Sequence, residues 1–408
     1  PYRLHYNGKL SDSGGGGQFT LGGRSSQASP FFVAPRLLPR LVRYVNNHPS
    51  LSYLFATEYV GGASQSPRCD EGARDRFLEL AIALDRLENE ENISNELLYL
   101  SLAPFLSDAS GNTHRSELNI EKLWNTSLPQ RGCLGLLEFR AFRMPSTAKR
   151  SIAIAMLLRS ITAMLVKSDP APGLVDWQDE LHDRFALPFF LRRDLQRVLQ
   201  DTAQAGFCIS TEFQSELLTE PDRARWCFDF AGGELSIEQA IEYWPLVGDV
   251  ATQESGGSRL VDSSTLRLQI ALQAEANNGD QLGEWQLQTG GYRLPLREDS
   301  GDNHKLRLTG LRFRDFTPWR GLHPSIRPIN PVLLYLSHPR RDLAYQIQLY
   351  NWRPDATPYA GLPRDLDEAA SRRQERFIVE TIDRGQVPEA KSAPDKAVTE
   401  YSFDLRCL

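Results

Sequence analysis

The sequence predicts an α+β chain in which an antiparallel sheet with packed helices is followed by a smaller β-sandwich-like domain. Three observations carry this. Apolar residues recur at three- and four-residue spacing through much of the first half, as amphipathic helices require. Two short runs, near residues 113–121 and 134–143, alternate as strands do. From Ser258 onward β-type alternation takes over, cut by turn-like clusters. On this pattern the chain divides into residues 1–200, a connecting α/β segment 201–257, a β-rich domain 258–353 and a tail 354–408.

Near the start stand four glycines, Gly14, Gly15, Gly16 and Gly17, ahead of Gln18-Phe19-Thr20-Leu21. Such a run lets backbone N–H groups approach an anion closely. Its spacing is neither a Walker loop nor a dinucleotide fingerprint, and a plain flexible loop is the commoner outcome. Helical spacing follows over residues 36–46 and 75–87. Between them Arg68, Asp70 and Glu71 crowd a loop of small residues, where Asp70 reads as a cap for the next helix.

In the run 113–121, strict alternation puts His114, Ser116, Leu118 and Ile120 on one side and Arg115, Glu117, Asn119 and Glu121 on the other. In the run 134–143 it puts Leu136, Glu138, Arg140 and Phe142 together, with Leu137, Phe139 and Ala141 opposite. Residues 151–166 form the most apolar stretch; Arg159 interrupts it and it falls short of the ~20 residues needed to span a bilayer, so it reads as a buried helix. Residues 177–198 read as a helical region bent or interrupted at Pro188. There His182 and Asp183 fit either a proton relay or a packing histidine.

The β-rich part shows Leu266, Leu268 and Ile270, then Leu306, Leu308 and Leu311, with turn clusters at 277–280, 289–291 and 300–303. Residues 331–337 and 343–350 read as a hairpin. Arg307, Arg312, Arg314, Arg320 and Arg327 read either as a basic patch or, more commonly, as a solvated strand face. Beyond residue 354 a loosely held helix and extension are expected.

With 46 Lys and Arg against 52 Asp and Glu, the net charge of −6 excludes nucleic-acid binding by bulk charge. No stretch reads as a membrane span. The five cysteines are scattered, odd in number and without a CxxC pair. They argue against a disulfide framework or zinc knuckle and for a reducing, cytoplasmic setting. The chain opens Pro-Tyr-Arg, without an initiator Met or a basic-then-apolar leader, so no signal peptide and some missing upstream sequence are expected.

A carboxylate and a guanidinium two apart on one strand face, as at Glu138 and Arg140, suit a phosphoryl- or metal-handling sheet, with oxygen ligands for Mg²⁺ and a planar fork for phosphate or carboxylate. Taken alone, the pair fits a cross-strand ion pair on a solvated face at least as well.

The wording of several motifs, however, resembles a bacterial family of amidoligases, usually found as a large C-terminal region behind a transglutaminase-like domain. The matching words are Ser-Gly-Gly-Gly-Gly at 13–17, His-Pro-Ser-Leu-Ser-Tyr-Leu-Phe at 48–55, Ser-Gln-Ser-Pro-Arg at 64–68, Gly-Asn-Thr-His-Arg-Ser-Glu at 111–117, Gly-Leu-Leu-Glu-Phe-Arg-Ala-Phe at 135–142, Glu-Leu-His-Asp-Arg-Phe at 180–185 and Val-Asp-Ser-Ser at 261–264. That family is placed in the glutamine-synthetase-like superfold of carboxylate–amine ligases. The resemblance implies that residues 1–200 are the C-terminal part of a catalytic core, the upstream portion lying outside this chain. It implies ATP with Mg²⁺ or Mn²⁺, a carboxylate phosphorylated to an acyl phosphate, and an attacking amine on peptide or small-molecule substrates. Glu138 would then bind metal, Arg140 would hold the phosphoryl group or substrate carboxylate, and Arg115 would neutralise phosphate charge. Gly14, Gly15, Gly16, Gly17 and Arg68 would line the nucleotide. His114 and Glu117 are weaker metal ligands, and Gln18 stands where many relatives carry a histidine.

The implied partner is a transglutaminase-like domain or the upstream half of the same protein. A competing reading makes the chain a non-catalytic binding or scaffold module for such a cysteine enzyme. A third, a cysteine hydrolase, finds no paired base beside Cys69 or Cys133.

Overall fold

The computed structural model describes residues 2–12, 16–56, 59–108, 111–128, 132–167, 173–219, 223–249, 259–275, 282–300 and 304–408. Gly14, Gly15 and the expected turns at 277–280 and 301–303 lie outside the described residues. The chain is α+β and divides into two compact units. One comprises Asp12–Phe185 and Phe189–Pro221; the other comprises Tyr2–Ser11, Ala186–Pro188 and Asp222–Leu408.

The chain begins with the paired strands β1 (Tyr2–Leu4) and β2 (Leu10–Asp12). The first unit then contributes β3 (Phe19–Leu21), α1 (Leu37–Asn47), α2 (Arg74–Asn89), α3 (Asn95–Leu102), β4 (Leu118–Asn119), β5 (Leu137–Phe139), α4 (Ala148–Lys167), α5 (Pro188–Gln204) and α6 (Thr211–Leu218). The helices form where the apolar spacing places them. Leu38, Leu41, Val42 and Val45 of α1 are buried, as are Phe77, Leu80, Leu84 and Leu87 of α2, one stripe on each helix. Pro188 starts α5 instead of bending a helix, because a first-turn proline lacks only an N–H that would have had no helical partner.

The sheet runs β3-β5-β4, antiparallel throughout, with Glu138 opposite Thr20 on one side and Asn119 on the other. The expected strand over 114–121 shrinks to Leu118–Asn119. Its asparagines explain this. Asn112 Oδ1 accepts the His114 amide at 3.0 Å and Asn119 Oδ1 accepts the Glu121 amide at 3.0 Å, local bonds that compete with a ladder. Pairing does reach further on the glycine side. The Gly17 amide donates to the Phe142 carbonyl at 3.0 Å, and a Cβ on Gly17 would sit 2.2 Å from the Arg143 carbonyl oxygen. Only glycine permits that approach.

The second unit adds β6 (Arg225–Phe230), β7 (Gly233–Gln239), β8 (Thr265–Glu275), β9 (Gln286–Thr289), β10 (Tyr292–Arg293), β11 (Arg297–Ser300), β12 (His304–Arg314), β13 (Val332–Ser337), β14 (Leu343–Leu349), α7 (Leu366–Gln374), β15 (Phe377–Asp383) and β16 (Ser402–Asp404). One sheet runs β11-β12-β8-β7-β6 with β16 parallel to β12; the other runs β10-β9-β13-β14-β15. Their buried residues, among them Ile237, Ile270 and Leu311 from the first and Leu287, Leu334 and Ile347 from the second, form one hydrophobic cluster, the packing of a sandwich. The hairpin at 331–350 forms with Val332 opposite Leu349.

Beyond residue 354 the chain is tightly integrated and not loosely held. β15 pairs with β14 along its whole length, and Phe403 is fully buried. The hairpin β1–β2 docks on α7, where Arg372 Nη1 donates to the Tyr6 carbonyl at 2.8 Å and Arg373 Nη1 to the Gly8 carbonyl at 2.7 Å. Gly8 has φ +79°, and a Cβ there would strike the Ala369 carbonyl oxygen at 2.2 Å. The arginines of β12 are not a solvated face. Arg307 donates to the carbonyls of Leu282, Gly283 and Trp285, Arg312 pairs with Glu242 at 2.8 Å, and Arg314 is buried against the Phe316 and His323 carbonyls.

Candidate functional site

Glu138 lies at the centre of the first unit's sheet because Leu137 and Phe139, on either side of it, turn into the core and leave the intervening side chain on the opposite face. Its Oε1 meets Arg140 Nη1 at 2.6 Å and its Oε2 meets Lys122 Nζ at 2.6 Å. Burial raises this carboxyl, but the Lys122 hydrogen bond and the Arg140 charge outweigh it, and the net shift is downward. Glu138 is therefore ionised at neutral pH, with two cations on one anion. Arg140 Nε is buried without an acceptor, and the Lys122 side chain is 46% exposed. The arrangement leaves donors and one net positive charge for an incoming anionic oxygen.

Lys122 escaped the sequence reading. It follows β4 by three residues, and its carbonyl accepts the amides of Leu134 and Leu136 at 2.9 and 3.3 Å, which ties its backbone beside β5. The usable signal was the Asn119–Glu138 register, and that register is a tertiary fact.

A second polar group surrounds Arg68. The guanidinium grips Asp70 through Nε and Nη2 at 2.9 and 2.8 Å. It also donates to the Val45 and Asn46 carbonyls and to Ser52 Oγ, and stands 3.9 Å from Glu117. All five of its N–H groups are thus engaged inside the protein, which leaves none for a phosphate. Asp70 is its buried partner rather than a helix cap. The turn Ser50–Tyr53 supplies Ser52, whose hydroxyl bonds Glu117, and Tyr53, whose hydroxyl bonds Glu71. Burial pushes Glu71 up to about 8, against the Tyr53 and Arg68 hydrogen bonds that lower it. Burial also raises Glu117. His182 Nε2 stands 3.9 Å from Glu71. Cys69 bonds Asn46 Oδ1 at 3.3 Å, and burial raises its thiol well above the ordinary range, as in an inert cysteine.

The other expected residues disperse. Arg115 lies against Asp108 at 3.8 Å, whereas Glu117 faces Ser52 and Arg68. His114 is largely exposed, 3.3 Å from Glu121. Gly16 bridges to Arg143, which places Gly16 and Gly17 beside the strand end that carries Arg140, and Gln18 is exposed. Glu117 and Arg140 are backbone neighbours, since the Arg140 amide donates to the Glu117 carbonyl at 2.8 Å.

A divalent cation would need uncommitted oxygen or nitrogen donors from these residues. Both Glu138 oxygens already face cations, Glu117 faces Ser52 and Arg68, and His114 faces Glu121. Among the described residues no group of three or more His, Cys, Asp and Glu is arranged to hold a metal ion. These residues do not by themselves fit Mg²⁺ or Mn²⁺. Nor is any helix among the described residues long and apolar enough to cross a membrane.

A family model described as "Putative amidoligase enzyme (DUF2126)" matches residues 2–406. Neither a curated protein nor a solved structure matches the chain.

Proposed function

Because the chain belongs to this amidoligase family, we propose that it is the C-terminal region of an ATP-dependent carboxylate–amine ligase acting with a transglutaminase-like domain or an upstream half of the same protein. In the proposed reaction ATP phosphorylates a peptide or small-molecule carboxylate, and an amine displaces the phosphate. The observation that supports this reading is the Glu138–Arg140–Lys122 group with its buried, acceptor-free Arg140 Nε. Arg140 and Lys122 receive an anionic oxygen, and Glu138 fixes both cations in place so that neither reorganises as charge develops. Gly16 and Gly17 keep the neighbouring backbone free of side-chain bulk.

Full-length protein given ATP, Mg²⁺ and candidate amine and carboxylate substrates should release phosphate, and Glu138→Ala should abolish the release. Unchanged turnover in the variant removes the role of Glu138. A non-catalytic scaffold is the second reading, favoured by the engagement of both Glu138 oxygens by cations. Calorimetry separates the two, since a ligase binds ATP in a metal-dependent way and a scaffold does not.

A further inference from the structure

The second unit holds a pocket of about 80 Å³. Its wall is apolar, built from Trp226 of β6, Leu268 of β8, Phe313 of β12, Val332 of β13 and Leu349 of β14. Arg376 also lines it. It is 7% exposed, its Nε is buried with no acceptor, and its Nη1 makes only long bonds of 3.3 Å to the Tyr350 and Asn351 carbonyls. Among the described residues no carboxylate forms an ion pair with it. Asp315 attracts it without a direct ion pair; a buried guanidinium compensated only in this way is costly, so its environment favours an anion. Burial lowers its pKa to about 10 and leaves it charged at neutral pH. Lys9, Arg267 and Arg373 line the same pocket, against one acid, Asp315, among the described lining residues. Burial raises the Asp315 carboxyl, which weakens it as a competing anion.

We propose that this pocket binds a short-chain aliphatic carboxylate, its carboxylate drawn to the Arg376 guanidinium and its hydrocarbon body against Trp226 and Phe313. Size limits the body. A cavity of roughly 150 Å³ admits benzene, and this one has about half that volume, which suits a chain of a few carbons. The site lies within the second unit and stands whether or not Glu138 takes part in a ligase reaction.

The test uses the whole chain and two isosteric probes, butyrate and butyramide, at matched ionic strength. Butyrate should raise the unfolding temperature and bind with one-to-one stoichiometry by calorimetry, with butyramide at least ten-fold weaker. Arg376→Gln should remove that preference, and Val332→Phe, which fills the pocket, should remove binding of both probes. Equal responses of the wild-type chain to the two probes overturn the proposal without any variant. So does an Arg376→Gln chain that folds, by circular dichroism, and still prefers butyrate as the wild type does.

Discussion

Two buried glutamates of the first unit titrate in opposite directions, and the difference is in their neighbours. Glu138 sits between Lys122 and Arg140 and shifts down; Glu71 sits beside Asp70 and the Tyr53 hydroxyl, and burial carries it up to about 8. The groups facing Glu71 are Tyr53, Asp70, Arg68 and His182. An unfolded glutamate titrates near about 4.3, so between that pH and about 8 the folded chain retains a proton that the unfolded chain releases. Native stability therefore falls as pH rises through this window. Denaturant midpoints measured at pH 5, 6.5 and 8 should decline, and Glu71→Gln should flatten the decline. An unaltered slope in the variant assigns the titration to another group. In the sequence Arg68 stands beside Asp70 and Glu71, and Glu138 two residues before Arg140. Whether a charge is available to a ligand depends on how many of its bonds are already made, and that count exists only after folding.

At the scale of elements, helices were legible and short strands were not. The stripes at 36–46 and 75–87 became α1 and α2, and the apolar stretch 151–166 became α4, with small shifts at their ends, because a pattern sustained over several turns overrides local exceptions. Alternation over 113–121 was genuine in the text, but the side chains of Asn112 and Asn119 diverted the backbone into turns. The close approach of Gly17 to the Arg143 carbonyl gives a direct test of the glycine run. Gly17→Ala forces a carbonyl to shift and should cost about 1–3 kcal/mol, the range for overpacking. A variant with unchanged stability shows that Gly17 and its contact with Arg143 are loose in solution, and the Gly16–Arg143 pairing with them.

At the scale of the whole molecule, the residues after 354 carry more of the second unit than their composition suggests. β15 covers the edge of β14, and Phe403 and Leu405 enter the sandwich core. A chain truncated after Asn351 leaves β14 as an open edge and removes those core side chains. It should lose near-ultraviolet circular dichroism from the second unit and become protease-sensitive throughout residues 222–351. If instead these residues resist digestion as the full chain does, the C-terminal segment is dispensable to the sandwich. The same integration explains the arginines of β12. Their spacing matched a solvated strand face, but strand pairing placed them over carbonyls and Glu242 that are distant in sequence.

The amino-acid order alone determined the α+β class, the main helices, the hairpin at 331–350 and the family words around Glu138 and Arg140, because these depend on spacing within a few residues. Tertiary structure alone decided that Lys122 joins Glu138, that Arg68 is fully engaged by its own chain, and that Arg376 lines a pocket without a direct ion pair. Each of those depends on groups brought together from distant segments, where a local pattern carries no information about which donor meets which acceptor.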